Sequence, residues 1–431
     1  MAFGRLWIRG FMYLAFLLYA VLSLILFFKE RRISANQYLL VLITLPSLGL
    51  ALLAEDFGHL PMSELIICAP VFVVAGIIFA ESKKTLKPTR PQVENDLRFL
   101  WAAAAIIGSF SVYHLTQVGI ALFSSNVEID RFNLGASGLF GLPSRSVLFG
   151  LPALALFTVI RYSPQTKKLT FFVWSLFVVS QLSLGFKGSL FTLISTLLLG
   201  ILLRRGLRSM KLIFLSGIGL IASSTYALNL ASRYGTMSGG QITPQYIIDR
   251  ITLETARPQY LALRMQETLQ LLTGPAFWHD TSIFLQRYIT GFSPNLTVES
   301  IVSATLTGTP PSREFFIVPV TLGGPIYLLL TGGVLFMVFG LALIGFIWAR
   351  GADQIRASSN DLAGVQLALF LETLIVFLTN GNGAYLLINA SFVSIIFCVI
   401  YWLTRVRDRR DTSPDYGLEK IGAGRRNAPI E

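Results

Sequence analysis

One lysine stands alone in a long apolar stretch. In QLSLGFKGSLFTLI, residues 181–194, Lys187 lies between Gly185 and Gly188, and from Leu169 to Leu203 it is the only charged residue. Flanking glycines permit a tight turn and a close backbone approach. A cation fixed there can face an anionic ligand, whereas a lysine that only reaches for the membrane interface is the plainer alternative. A second group of cations lies in segment 231–318, which holds Arg233, Arg250, Arg257, Arg264, Arg287 and Arg313 and no lysine. Arginine's planar fork suits two-point binding of phosphate oxygens better than a lysine point charge. The competing reading is a ladder of ion pairs, since Glu254 is spaced for helical pairing with both Arg250 and Arg257. Asp249, Glu254, Glu267, Asp280, Glu299 and Glu314 balance the arginines.

The elements that must position these residues are apolar. Hydrophobic residues make up 53% of the 431, charged residues only 13%, about half the charge of a soluble chain, and mean hydropathy is +0.64. Apolar runs of about 20 residues recur, each long enough to cross a hydrocarbon core as a helix. The expected fold is an all-α polytopic membrane protein with about 11 spans, near residues 10–28, 38–54, 65–80, 99–123, 146–160, 169–185, 188–203, 212–230, 319–348, 362–380 and 384–404. Residues 11–28 read as a retained span, because KERR follows them and no small-residue cleavage site does.

Basic residues set the orientation. Of the 35 Lys and Arg, 24 fall in segments 29–37, 81–98, 161–168, 204–211, 350–361 and the tail after Thr404. That set is expected on the cytoplasmic side and the long 231–318 segment outside. The division is thus 1–230, eight spans; 231–318, an external loop with short helices; 319–404, three spans; and 405–431, a disordered polar tail. Within the loop, Thr243–Pro244 reads as a helix start. Pro258 opens a second helix that Gly274 can end, with Leu261, Met265, Leu269 and Leu272 on one face. The +12 net charge follows from orientation and anionic lipid and calls for no nucleic acid. No GxxxxGK[ST] loop occurs, and His59, His114 and His279 lack metal-ligand spacing. Neither a metal nor a cofactor is expected. Cys68 and Cys398 indicate no disulfide framework.

Two patterns, GFKGSLFTLISTLLLG at 185–200 and PPSREFFIVPVTLGGPIYLLLTGG at 310–333, together with many spans and one long loop before the last three, resemble the Wzy-type O-antigen polymerases. The O-antigen ligases are a more distant likeness. Phe315 and Gly323 keep the ligase spacing, but Ser312 and Arg313 stand where ligases carry His and Asn. The resemblance implies a multi-span lipid-sugar glycosyltransferase fold of the GT-C-like kind. It implies a place in the bacterial inner membrane and a site facing the periplasm. The reaction would transfer a growing glycan from undecaprenyl pyrophosphate onto a lipid-linked repeat unit, with donor, acceptor and bilayer as partners and a chain-length regulator as a further one. Cations must then oppose the pyrophosphate leaving group: Lys187, Arg233, Arg250, Arg257 and Arg313 are the candidates. A carboxylate must serve as base: Glu314 first, then Asp249, then the His279–Asp280 pair. Tyr234 and Trp278 can stack on sugar rings. Ligation to a lipid core, or transport of lipid-linked sugar, are the alternatives. Glu372, the conspicuous charge within an apolar span, favours transport.

Overall fold

The computed structural model describes residues 34–57, 62–82, 97–118, 142–183, 189–205, 256–290, 295–308, 321–358 and 360–411, besides a few isolated positions. Among these the chain is all helix, with no strand. The helices are α1 (Ala35–Phe57), α2 (Ser63–Ile67), α3 (Ala69–Ser82), α4 (Leu97–Val118), α5 (Leu142–Ile160), α6 (Lys167–Ser183) and α7 (Ser189–Arg205). Then come α8 (256–264), α9 (Gln266–Thr273), α10 (Ala276–Thr290), α11 (Val298–Thr307), α12 (Gly324–Ala357), α13 (Asp361–Asn380) and α14 (Gly383–Asp411). Five of these (α4, α5, α12, α13 and α14) are long and apolar enough to cross a membrane. The expected spans 10–28 and 212–230 lie outside the described residues, so the figure of eleven is an expectation only.

Local chemistry explains where the helices depart from the apolar runs. The run at 65–80 is not one helix: Cys68 ends α2 and Pro70, which lacks an N–H, sits at the start of α3. The run at 319–348 becomes α12, which breaks at Gly332 and Gly333, the latter at φ 76° and ψ −168°. Beyond that break the chain doubles back, so that the Leu328 side chain lies against Gly340. On a straight helix those two positions would be about 18 Å apart. The part of α12 that can span is therefore its second half. α14 continues past the expected span end at 404, to Asp411.

α5 is the most enclosed of the five long helices and packs on α4, α6, α7 and α13. It begins with a wide turn over Ser146–Gly150 just before Pro152, a way of absorbing proline's missing donor. α3 and α12 pack backbone on backbone, because Gly76 faces Ala342 O and Gly345 faces Val73 O with no room for a Cβ at either. Such small-residue contacts stand in for the hydrophobic effect between helices in lipid.

The bundle has two unlike ends. At one, Arg161 donates to Ser358 O, Arg204 to Tyr162 O at 2.6 Å and Arg356 to Leu203 O at 2.6 Å. The side chains of Asn36 on α1 and Glu81 on α3 also meet there. We term this the basic face; it gathers the segments that hold most Lys and Arg. The other is the capped face, where α8–α11 cover the start of α12, the end of α13 and the start of α14.

Candidate functional site

The cap is held by polar contacts that begin with Asp280. Its side chain is wholly buried; Oδ1 accepts from Val298 N at 3.0 Å and Oδ2 from the Tyr327 hydroxyl at 3.1 Å. One carboxylate thus joins α10 to the first turn of α11 and to the short half of α12. Thr297 caps α11 through Ser300 N, and His279 Nε2 meets Leu296 O at 3.0 Å. Glu299, also buried, accepts from Asn382 Nδ2 at 3.0 Å, and Asn382 Oδ1 in turn accepts from Tyr385 N in the first turn of α14. Asn380 O takes two backbone donors, Leu322 N and Gly323 N, so α13 ends on the strand of chain that enters α12.

Burial dominates the electrostatics. It pushes the Asp280 carboxyl up to about 6, against the opposing pull of the Val298 and Tyr327 hydrogen bonds and the nearby His279 and Arg287. Burial raises Glu299 further, to about 8, with Asp280 adding repulsion and Asn382 offsetting part of it. Two neighbouring carboxyls with separated titration points can divide the roles of base and acid near neutral pH.

From this pair α10 and α14 run side by side. Phe284 meets Tyr385 at 5.4 Å between ring centroids. One turn further on, the Tyr288 hydroxyl donates to Asn389 Oδ1 at 3.2 Å. Asn389 Oδ1 also accepts from Arg145 Nε at 2.8 Å. The Arg145 guanidinium lies 4.3 Å from the Tyr288 ring centre and 4.2 Å from that of Phe392. It is 3% exposed, and among the described residues neither Nη1 nor Nη2 has a hydrogen-bond partner. A buried guanidinium stacked between two rings, with both terminal nitrogens unpartnered among the described residues, has the fork geometry that suits an anion with two oxygens.

The outer surface of the cap is apolar. Leu271, Leu272, Trp278, Leu285 and Ile289 are all exposed, and the last three share one face of α10. The cap thus turns an apolar face away from the bundle among the described residues. Leu272 is turned outward and the helix breaks at Met265, at φ −99° and ψ 9°. The expected single apolar face over Leu261–Leu272 is thus two short helices with different facing. Gly274 does end α9, at φ 62°.

Of the residues singled out from the sequence, Lys187, Arg233, Tyr234, Asp249, Arg250, Arg313 and Glu314 lie outside the described residues. Arg257 is exposed on α8. Trp278 is two-thirds exposed and edge-on to Phe277, open to a flat ligand. Asp280 stands at the centre of the cap. Arg145, Asn382, Asn389 and Tyr327 were not singled out by the sequence reading, and Glu299 entered it only as a balancing charge. The signal for Arg145 was the one that marks Lys187, a lone charge at the head of an apolar run, GLPSRSVLFGLPALALF. Among the described residues no three His, Cys, Asp or Glu side chains gather as a metal would require. Comparison of the chain with family models, curated proteins and solved structures found no match.

Proposed function

We propose that the chain is a membrane-embedded glycosyltransferase of the bacterial inner membrane. It would join undecaprenyl-pyrophosphate-linked oligosaccharide repeat units at the capped face, with that face toward the periplasm. Arg145 is the observation that carries the reading: a buried cation with two donors unpartnered among the described residues suits a lipid pyrophosphate as the glycosidic bond breaks. Lys187, Arg233, Arg250, Arg257 and Arg313 are further cations for the same group, on the sequence argument. Asp280, ionised above about pH 6, is the base best supported by geometry, with Glu299 as its neutral partner below about pH 8. Glu314 and Asp249 stay candidates for the base from sequence alone. Trp278 and Tyr234 are the sugar-stacking candidates.

Transport of a lipid-linked sugar is the second reading. The break in α12 at Gly332–Gly333 and the buried Glu372 favour it, since transporters use interrupted helices and charges within the membrane. Lipopolysaccharide from a strain lacking the protein separates the readings. The polymerase reading expects a lipid core bearing a single repeat unit. A core bearing none, with repeat units held on the inner leaflet, supports transport, and finished polymer left on the carrier lipid supports a ligase.

A further inference from the structure

A line of buried polar atoms enters the bundle from the basic face and ends at Glu372. At the rim, Asn36 Nδ2 donates to Glu81 Oε1 at 3.3 Å, while Asn36 Oδ1 and the neighbouring Ser34 hydroxyl have no partner among the described residues. Two residues further along α1, the Tyr38 hydroxyl and Ser195 Oγ of α7 are 2.5 Å apart. Next to Ser195, Thr196 turns its hydroxyl toward the Glu372 carboxyl. Glu372 Oε1 makes no hydrogen bond among the described residues. All of these side chains except Tyr38 are more than nine-tenths buried. Glu372 lies eleven residues into α13 from Asp361, about 16 Å along the helix, near the middle of a hydrocarbon core about 30 Å thick.

Unsatisfied polar atoms are costly in such surroundings, and a bare carboxylate more so. Something of charge +1 must neutralise Glu372. Among the described residues no cationic side chain does: Tyr38 is the one titratable group in electrostatic reach of it. Of the arginines on the helices packed on α13, Arg350 and Arg356 on α12, Arg405 on α14 and Arg98 at the start of α4 stand at the basic end, and Arg145 on α5 is taken up with Asn389 near the capped face. A hard metal ion wants about six oxygens, and here one carboxyl and one hydroxyl converge. A proton needs no more than that.

We propose that Glu372 is an exchangeable proton site in the membrane interior, filled from the basic face along Ser34, Asn36, Tyr38, Ser195 and Thr196. The unpartnered oxygens mark where single waters bridge the steps. Protonation and release then change the charge at the centre of α13, whose far end anchors the chain entering α12 through Asn380 O.

The test uses the native chain in membrane vesicles of both orientations, with the pH set separately inside and out. The probe is N,N′-dicyclohexylcarbodiimide, a lipophilic reagent that couples to protonated carboxyls, and Glu372 is read by peptide mass spectrometry. Labelling should follow the pH on the basic face alone, falling about tenfold per unit once the pH passes the titration point of the group. Thr196→Val should slow labelling after a pH jump without changing its final extent. Absence of labelling at Glu372, labelling indifferent to pH, or labelling that follows the pH of the capped face would each overturn the proposal. Thr196→Val labelling at the native rate would remove the path.

Discussion

Arginine does opposite things at the two ends of this bundle. At the basic face Arg161, Arg204 and Arg356 donate to the backbone carbonyls of Ser358, Tyr162, Leu203 and Leu202. These carbonyls lie at or near helix ends, and the arginines pin neighbouring helices together by donating to them. At the capped face Arg145 uses Nε, on Asn389, and among the described residues its two terminal nitrogens, between aromatic rings, have no partner. The lesson is that residue type and burial do not separate a structural cation from a working one. Among the described residues Arg161 also keeps a buried Nε without a partner, but only Arg145 leaves both terminal nitrogens so, and each leftover donor in a buried site costs stability.

The sharpest way to break the comparison is a pair of truncations. Arg145→Ala should lower polymer formation by about a hundredfold or more, the usual cost of losing one preorganised donor to a developing anion. Arg356→Ala should leave activity per folded molecule unchanged and lower stability by about 1–3 kcal/mol, the cost of orphaning buried acceptors. Glycan chain length and thermal unfolding of the detergent-solubilised protein, measured on both variants at matched membrane levels, check this. Equal losses of activity in the two would erase the distinction.

Next in size is the carboxyl pair. Asp280→Asn should reduce turnover by about a hundredfold, the low end for loss of a general base, whereas Glu299→Gln keeps the neutral form and should cost less. Equal turnover in wild type and Asp280→Asn would return the role of base to Glu314 or Asp249.

A pH series sharpens the same contrast. Activity should be bell-shaped, rising as Asp280 ionises near 6 and falling as Glu299 ionises near 8. Stability should run one way. Both carboxyls titrate higher when folded than unfolded, so the folded cap binds more protons and is favoured at low pH. The Asp280 share is lost between its ordinary 3.8 and about 6, and that of Glu299 between 4.5 and about 8. Hydrogen exchange of segment 276–307 should therefore be faster at pH 9 than at pH 6 after correction for the intrinsic rate; equal protection would contradict the assignment. The smallest effect should be at Trp278, where loss of one stacking surface to alanine should raise KM by about fivefold or less, with kcat unchanged.

Helices were legible where an apolar run met clear stop signals. The run 362–380 became Asp361–Asn380 because Asn360 caps its start through Leu362 N and Gly381 ends it. Hydropathy could not show the break at Gly332–Gly333, since two glycines inside LLLTGGVLF leave the apolar signal intact while the backbone leaves helical geometry. Gly274 was read correctly as a stop, but the break at Met265 carries no turn residue and left no mark. The site was less legible for a different reason. Arg145 and Asn389 are 244 residues apart, and only packing of α5 against α14 brings them together. Counting Arg145 with its loop spent its charge on orientation, where a lone charge at the head of an apolar run had a second meaning.

The central claim is that this chain forms glycosidic bonds between lipid-linked units at its capped face. The most direct measurement supplies the purified protein in liposomes with undecaprenyl-pyrophosphate-linked repeat units and nothing else, then follows glycan length and released undecaprenyl pyrophosphate together. The account predicts a ladder of products with one carrier pyrophosphate released per bond, and no ladder from Arg145→Ala. Repeat units that cross to the other leaflet unchanged, with no carrier released, would contradict it.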